Sequence, residues 1–343
     1  MRRIAKQGKL CVVTYHGVRP EGYVSKAPLL DGALIRKEAL RSQLRHLKSR
    51  YSVITPEQLL SHLECGSTLP PRAVLLTCDD GLRNTLTDMV PILQEHGLSC
   101  LFFVTGASCQ EIPQMLWYEQ LYLWMQIPPS SHLEVADPDR PGQALKGNDR
   151  RLMWWDLVKK LSRRNPQSRS RYLEEARVRL GVFGNWTLTN TQGTANARRF
   201  LLLAASELRQ LVAKGMTIGA HTMTHPVLAN ATEEWARREI VESRSVLEST
   251  VGQRVWALAY PFGNSGSVGP REVELAKAAG YSAAFVNVGG GFGADLPPLA
   301  LPRVHVTSEM SLGEFDAHVS GLHRGLRRPE PIFTKESESS VCA

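Results

Sequence analysis

Two adjacent carboxylates, Asp79 and Asp80, follow the apolar run 74–78 and stand directly before Gly81. A run rich in Val and Leu that is closed by a glycine is typical of a strand buried on both faces. The chemistry of α/β proteins is placed just beyond the carboxyl ends of such strands. The position of the two acids therefore predicts a functional site, although Asp-Asp-Gly is equally typical of a turn that leads into a helix N-cap.

A second short apolar run ends in two histidines, His221 and His225, which are four residues apart. On one turn of helix this spacing lets both imidazoles bind the same metal ion. Thr222 occupies the place where zinc proteases with a His-Glu-x-x-His motif carry their base, so the pair would supply ligands only. Asp79 and Asp80 are the candidates for the third ligand and the base. A histidine pair alone is more often a surface or cap feature, so the prediction depends on both clusters together.

In combination, Thr-x-Asp-Asp-Gly at residues 77–81 and His-Thr-x-x-His at residues 221–225 resemble the polysaccharide deacetylase (NodB-homology) family of carbohydrate esterases. Three further segments are similar to those of its exopolysaccharide N-deacetylase branch: Thr-Tyr-His-Gly-Val at 14–18, Ala-Leu-Ala-Tyr-Pro-Phe-Gly at 257–263 and Leu-Pro-Arg-Val-His at 301–305. The resemblance covers about residues 8–106 and 205–310.

The resemblance implies a metal-dependent carbohydrate N-deacetylase. Asp80, His221 and His225 would hold a divalent metal, zinc foremost, with iron, cobalt, nickel or manganese as alternatives. Asp79 would be the general base and His305 would protonate the departing amine. The same ligand set also suits a non-haem iron site, but no cosubstrate pocket for an oxidative reaction is recognisable.

Five further residues are candidates for the substrate pocket: His16, Tyr260, Pro261, Phe262 and Arg303. Tyr260 and Phe262 would either line a sugar pocket or belong to the core, and His16 would either line the site or close the first strand. A backbone N–H near Phe262, where Pro261 fixes the chain, would help to stabilise an oxyanion. Arg303 would either orient the catalytic acid or form an ordinary salt bridge. In the wider family an arginine at a different position, where this chain has Ala259, orients the acid.

Short apolar runs alternate with helix-like segments, which predicts an α/β fold with a parallel sheet, and polar groups at several strand ends favour a barrel. With 343 residues, 43% of them hydrophobic, the chain can bury a large core. The resemblance implies a distorted, incomplete (β/α) barrel with a largely helical insertion. We expect the first part of the barrel in residues 1–106, the insertion in 107–199, the second part in 200–322 and a disordered tail in 323–343.

The insertion is rich in aromatic residues and basic within a chain of net charge +8. One interpretation is a packed helical subdomain with a solvated basic face. The other is a substrate or membrane surface, whose aromatic rings stack on sugars and whose basic face meets anionic headgroups. No recognition motif for nucleic acid accompanies the charge, so no nucleic-acid partner is expected.

The six cysteines have neither disulfide-framework nor metal-site spacing. Cys11, Cys78 and Cys100 lie in apolar runs and are predicted to be buried small hydrophobes. A catalytic role for the Cys78 thiol, beside the acid pair, would need a partner base.

No run of 18 apolar residues is present, and the first residues lack a hydrophobic signal segment. We therefore expect a cytoplasmic protein, and the basic insertion is the candidate for any peripheral contact with an anionic membrane. That location would shift the substrate toward a lipid-linked precursor. The expected function is removal of an N-acetyl or related acyl group from an amino sugar of a cell-surface glycan or its lipid-linked precursor. The alternative is a non-catalytic glycan-binding relative that keeps the barrel.

Overall fold

The computed structural model describes most of the chain, with gaps at both ends and within the insertion. The described residues are 10–25, 28–128, 133–140, 142–145, 149–184, 191, 194–289 and 296–322. The predicted tail, 323–343, and Trp186 of the insertion lie outside them.

The strands of the described chain form one parallel barrel and one small hairpin-like pair. In chain order the strands are β1 (Leu10–Tyr15), β2 (Ser52–Ile54), β3 (Ala73–Cys78), β4 (Leu101–Val104), β5 (Val135–Ala136), β6 (Ala144–Leu145), β7 (Thr217–Ala220), β8 (Ala257–Ala259), β9 (Ala283–Val286) and β10 (Leu301–His305). Strands β1, β10, β9, β8, β7, β4 and β3 follow one another in the sheet, and β3 pairs again with β1. The sheet therefore closes into a ring of seven parallel strands.

Strand β2 lies outside this ring, paired with the first half of β3 through Ser52 and Ala73. The second half of β3 pairs with β4 instead, through Thr77 and Leu101. The prediction of a (β/α) barrel short of the full eight strands is confirmed.

Helices cover the outside of the barrel and build the insertion. They are α1 (Pro28–Asp31), α2 (Lys37–Arg50), α3 (Pro56–Cys65), α4 (Val90–Glu95, preceded by a π-helical turn Thr85–Met89), α5 (Trp117–Trp124), α6 (Arg150–Ser162), α7 (Pro166–Arg179), α8 (Ala195–Phe200), α9 (Ala205–Ala213), α10 (Glu233–Val251), α11 (Pro270–Ala278) and α12 (Leu312–Ser320). Local chemistry explains their ends. Helix α3, for example, begins at a capping box of Thr55 and Gln58 and stops at Gly66 in the left-handed region.

Alternate strand residues face two different cores. Val12, Leu75, Phe103 and Phe285 belong to the cluster inside the barrel, where the two phenylalanine rings lie 5.1 Å apart. The intervening residues, among them Cys11, Cys78 and Cys100, pack outward into the cluster beneath the helices. All three cysteines are fully buried, as predicted, and burial raises the pKa of the Cys78 thiol.

The insertion has a hydrophobic cluster built on Trp117, Trp154 and Tyr172, to which Tyr23 and Phe200 from outside the insertion contribute. Several of its cations are paired within it: Lys160 with Asp137 and Asp156, Arg164 with Asp139, and Arg177 with Glu174. This packing agrees with the interpretation of a helical subdomain. The boundaries at 106/107 and 199/200 stay a prediction. Within the described residues, no helix combines the length and apolarity needed to cross a bilayer.

Gly81 ends the turn that carries the two acids, and we expect it to be sensitive to substitution. Its φ is +72°, and an added Cβ would lie 2.8 Å from Cγ1 of Val104. Gly97 has a similar φ of +64° but open space around it. Gly97→Ala should therefore cost roughly 1–2 kcal/mol, whereas Gly81→Ala should cost roughly 1–3 kcal/mol more because of the clash.

Urea unfolding of both glycine variants measures this difference directly. Equal losses of stability would show that the acid turn accommodates the added Cβ without a steric cost.

Candidate active site

The candidate residues meet at the carboxyl ends of three barrel strands. Asp79 and Asp80 follow β3, His221 follows β7, and His305 is the last residue of β10. The Asp79 N–H donates to the carbonyl of Tyr15 at 2.9 Å, so the acid turn is tied to the end of β1. Because parallel strands end at one rim, residues distant in sequence come together there.

Asp80, His221 and His225 form a buried cluster of three potential metal ligands. One Asp80 oxygen lies 3.5 Å from Nε2 of His221 and 3.4 Å from Nε2 of His225. The three ligand atoms lie within 4.8 Å of one another. Nδ1 of His221 bonds the Ala259 carbonyl at 2.7 Å, which assigns the proton to Nδ1 and leaves the Nε2 lone pair facing the cluster. This donor set of two imidazoles and one carboxylate fits zinc and similar divalent metals.

The two histidines are not on a helical turn, contrary to the interpretation of their spacing. Residues 221–225 form a loop in which Thr222 has a φ of +63° and His225 a φ of +54°. Asp80 and Phe262 also have positive φ, at +73° and +61°. Left-handed conformations cost non-glycine residues roughly 1–3 kcal/mol each, so the surrounding structure must hold them. Four of the five such residues in the described chain lie at this site.

Glu239 on helix α10 holds the histidine loop from below. One of its oxygens accepts the N–H groups of Met223 and Thr224, at 2.8 and 2.9 Å. The other accepts the Thr224 hydroxyl at 2.6 Å and the indole N–H of Trp235 at 3.2 Å. Sequence reasoning missed this residue. Its place on the buried face of α10, beside Ala236 and Ile240, is the signal that could have found it.

The insertion holds the same loop from the other side. The indole N–H of Trp117 donates to the His225 carbonyl at 3.3 Å. The guanidinium of Arg169 lies over the Trp117 ring and donates to the Thr224 carbonyl at 3.4 Å. The insertion therefore contributes to the geometry of the metal ligands, a function that its sequence did not indicate.

Asp79 does not point into the ligand cluster but is clamped by Arg303. Two guanidinium nitrogens donate to its two oxygens at 2.7 and 2.6 Å, and both side chains are buried. Burial alone would raise the pKa of Asp79, but Arg303 and His221 outweigh it and lower the pKa. Asp79 is therefore a carboxylate at neutral pH. Its Oδ2 lies 4.0 Å from Nε2 of His16.

His305 stands beside His16, with the ring centroids 4.7 Å apart. One side of His305 is open to solvent, while desolvation by its neighbours and then the adjacent His16 ring lower its pKa to about 3. The ring is therefore neutral at pH 7. A role as the acid requires that it gain a proton during turnover.

The remaining pocket candidates separate into two groups. Phe262 lies at the site, with its ring 5.0 Å from that of His225. Tyr260, by contrast, is fully buried in the core, and its hydroxyl donates to the Leu299 carbonyl at 3.1 Å. Pro261 is buried in the turn between them. Of the two alternatives for Tyr260, pocket or core, the structure shows the core, because the side chain packs outward beneath the helices.

A cavity of about 180 Å³ opens from the ligand cluster toward the insertion. Its wall includes Glu119, which forms a buried ion triad with Arg199 and Asp31 at 2.7 Å on each side. Asp31 also receives the hydroxyls of Tyr23 and Ser25, whereas one oxygen of Glu119 has no hydrogen-bond partner among the described residues. Burial, opposed by Arg199, raises the pKa of Glu119 to about 7.

Glu239→Gln should weaken metal binding without unfolding the protein. Both oxygens of Glu239 accept hydrogen bonds, so the amide NH₂ of glutamine would replace one acceptor by a donor. That donor would face other N–H or O–H donors, and the histidine loop would shift. We expect a loss of about 10–100-fold in zinc affinity, measured by competition with a chelator. Glu242→Gln, on the exposed face of the same helix, should leave the affinity unchanged. Equal affinities in both variants would contradict the role of Glu239.

The raised pKa of Glu119 predicts a pH dependence of stability. Between about pH 4.5 and 7 the folded state holds a proton that the unfolded chain has lost, so the free energy of unfolding falls as the pH rises through this range. In Glu119→Gln this fall should be smaller by roughly 1–3 kcal/mol. Glu175→Gln, on the exposed surface of α7, is the control. A pH profile unchanged by Glu119→Gln would show that the triad stays fully ionised.

Comparisons with known proteins concern the family and the fold. The family model "Polysaccharide deacetylase" matches residues 66–121 and 162–284, just over half of the chain. YxkH of Bacillus subtilis, whose assignment as a polysaccharide deacetylase is provisional, is 23% identical over 120 residues, 35% of this chain and 42% of that relative. The chain thus aligns with less than half of the length of this curated relative.

Three solved structures share the fold over more than nine tenths of the chain. The Streptococcus pyogenes deacetylase PplD, in complex with acetate, has a TM-score of 0.57 at 15% identity and covers 92% of this chain and 99% of its own. The de-N-acetylase from Aggregatibacter actinomycetemcomitans has a TM-score of 0.55 at 14% identity, covering 91% and 100%. IcaB from Ammonifex degensii has a TM-score of 0.54 at 18% identity, covering 91% and 97%.

At these identities the structural likeness concerns the fold, a seven-stranded barrel with its insertion. The family model adds the sequence evidence, because its matched range contains the acid pair and both histidines of the ligand cluster. The chain belongs to the polysaccharide deacetylase family.

Proposed function

We propose that this protein is a metal-dependent hydrolase that removes an N-acetyl or related acyl group from an amino sugar of a cell-surface glycan or of its lipid-linked precursor. The observation that carries the proposal is the buried Asp80, His221 and His225 cluster beside Asp79, a carboxylate held by Arg303. A glycan-binding relative without turnover would not need a charged base buried next to a ligand set.

Asp80, His221 and His225 would hold the metal, zinc foremost. When bound, such an ion acidifies water and polarises the carbonyl of the amide. The protein's own contribution is to aim the three donors, through the Ala259 carbonyl for His221 and through Glu239 for the loop.

Asp79 would accept the proton of the attacking water. Arg303 binds both of its oxygens, which fixes the orientation of the carboxylate and keeps it ionised at neutral pH. His305, at the adjoining rim, would deliver a proton to the departing amine after gaining one in the reaction. His16 lies between the two and contacts both.

We also propose that the protein is cytoplasmic, acts on a lipid-linked precursor and contacts anionic membranes peripherally. Membership of the polysaccharide deacetylase family supports a sugar-bearing substrate. The pairing of several insertion cations within the subdomain leaves fewer charges for a membrane surface.

The deciding experiment measures metal content together with acetate release from N-acetylglucosamine oligomers and lipid-linked N-acetyl sugars. Asp79→Asn should keep the metal and lose about 10²–10⁴-fold in rate, whereas His221→Ala should lose both metal and activity. His96→Ala, in the segment between α4 and β4 at the opposite end of the barrel, serves as the matched histidine control.

Two outcomes would contradict the proposal. A protein that binds zinc but releases no acetate from any substrate would favour the glycan-binding alternative. Full activity in Asp79→Asn would remove Asp79 as the base.

A further inference from the structure

The cavity that opens from the ligand cluster is lined mainly by apolar side chains. Leu34 and Ala33 come from the segment after α1, Leu82 from the acid turn, and Trp154 and Val158 from helix α6 of the insertion. His16, Asp80 and Phe262 stand where the cavity meets the site. A group attached to the reacting carbonyl can therefore extend from the metal ligands into this space.

Arg199, which lines the cavity, is paired within the wall, whereas one oxygen of Glu119 has no hydrogen-bond partner among the described residues. Nε of Arg199 donates to Asp31, Nη1 to Glu119 and Nη2 to the Leu30 carbonyl, at 2.7, 2.7 and 2.9 Å. The other Glu119 oxygen is buried within the wall. A sugar ring placed here would lose the hydration of several hydroxyls and find few partners, which costs free energy for each of them. The occupant that this wall favours is apolar.

The position of His305 decides which part of the substrate enters. Among the described residues, the cavity wall includes His16 but not His305, whose ring centroid lies 4.7 Å from that of His16. The departing amine must reach His305, so the sugar that carries it extends toward that rim. The other substituent of the carbonyl carbon, the acyl chain, then points toward Leu34 and Val158.

We propose that this cavity is an acyl-chain pocket and that the substrate class is an amino sugar whose N-acyl group is longer than acetyl. The inference rests on the proposed function, of which it specifies the substrate. Water adds to the acyl carbon, the amide C–N bond breaks, and the nitrogen takes up a proton. The products are a free amino sugar and a short-chain carboxylate.

The test compares hydrolysis of glucosamine carrying N-acetyl, N-butyryl and N-hexanoyl groups by the zinc-loaded protein. We expect kcat/KM to rise by about fourfold for each methylene that is buried. Ala33→Phe, which narrows the cavity from a partly exposed position, should abolish this rise, as should Val158→Phe from the opposite wall. Ala317→Phe, at a similarly half-buried alanine on α12, should preserve it. Metal content and melting temperature establish that each variant is folded.

A second measurement does not depend on turnover. Binding of acetate, butyrate and hexanoate to the zinc-loaded protein, followed by calorimetry, should strengthen along the series in the unaltered protein and in Ala317→Phe, and not in Ala33→Phe. If no amide is hydrolysed but carboxylate binding still strengthens from acetate to hexanoate, the result contradicts the proposed function and supports the acyl-chain pocket.

Two results would overturn the inference while leaving the proposed function intact. One is that N-acetylglucosamine is hydrolysed, while every longer acyl chain is hydrolysed more slowly and every longer carboxylate binds more weakly. The other is a higher kcat/KM for the octyl than for the methyl glycoside of N-acetylglucosamine, lost in Ala33→Phe. This result would place the aglycone, and not the acyl chain, in the cavity.

Discussion

The ion pair between Asp79 and Arg303 is the interaction on which the site depends. Strand β1 pairs with β10 on one side and β3 on the other, so the pair spans β1 at the closure of the barrel. Arg303 rests on the rings of Phe103 and Phe285, which fill the barrel below it. A buried charge of either sign would be costly alone, about 3–5 kcal/mol when its partner is removed. The core and the candidate base, Asp79, therefore share one constraint.

Backbone strain at the rim is balanced by contacts from two different layers. The positive φ values of Thr222 and His225 place both imidazoles next to Asp80. Glu239 on a barrel helix and Trp117 from the insertion supply the hydrogen bonds that keep them there. The insertion thus helps to position the candidate metal ligands. Its cluster of aromatic side chains gives it the rigidity for that role.

The cavity joins these two layers. On one side it is bounded by residues of the barrel rim, and on the other by α5 and α6 of the insertion, with the Asp31, Arg199 and Glu119 triad between them. Buried ionic groups of this kind fix a geometry rather than add much stability, because desolvation offsets most of their attraction. The triad therefore sets the shape of a space whose accessible surface is mostly apolar.

The sequence by itself indicated the barrel, the acid pair and the two histidines, because strand ends and short motifs are local patterns. For Arg303 it left two alternatives open. Only the tertiary structure decided that the histidine loop is not helical and that Tyr260 faces the core. It also revealed Glu239 and Glu119, whose neighbours in space are distant in the chain. Side-chain direction at a strand exit and pairing across layers depend on closure of the barrel, which no local pattern encodes.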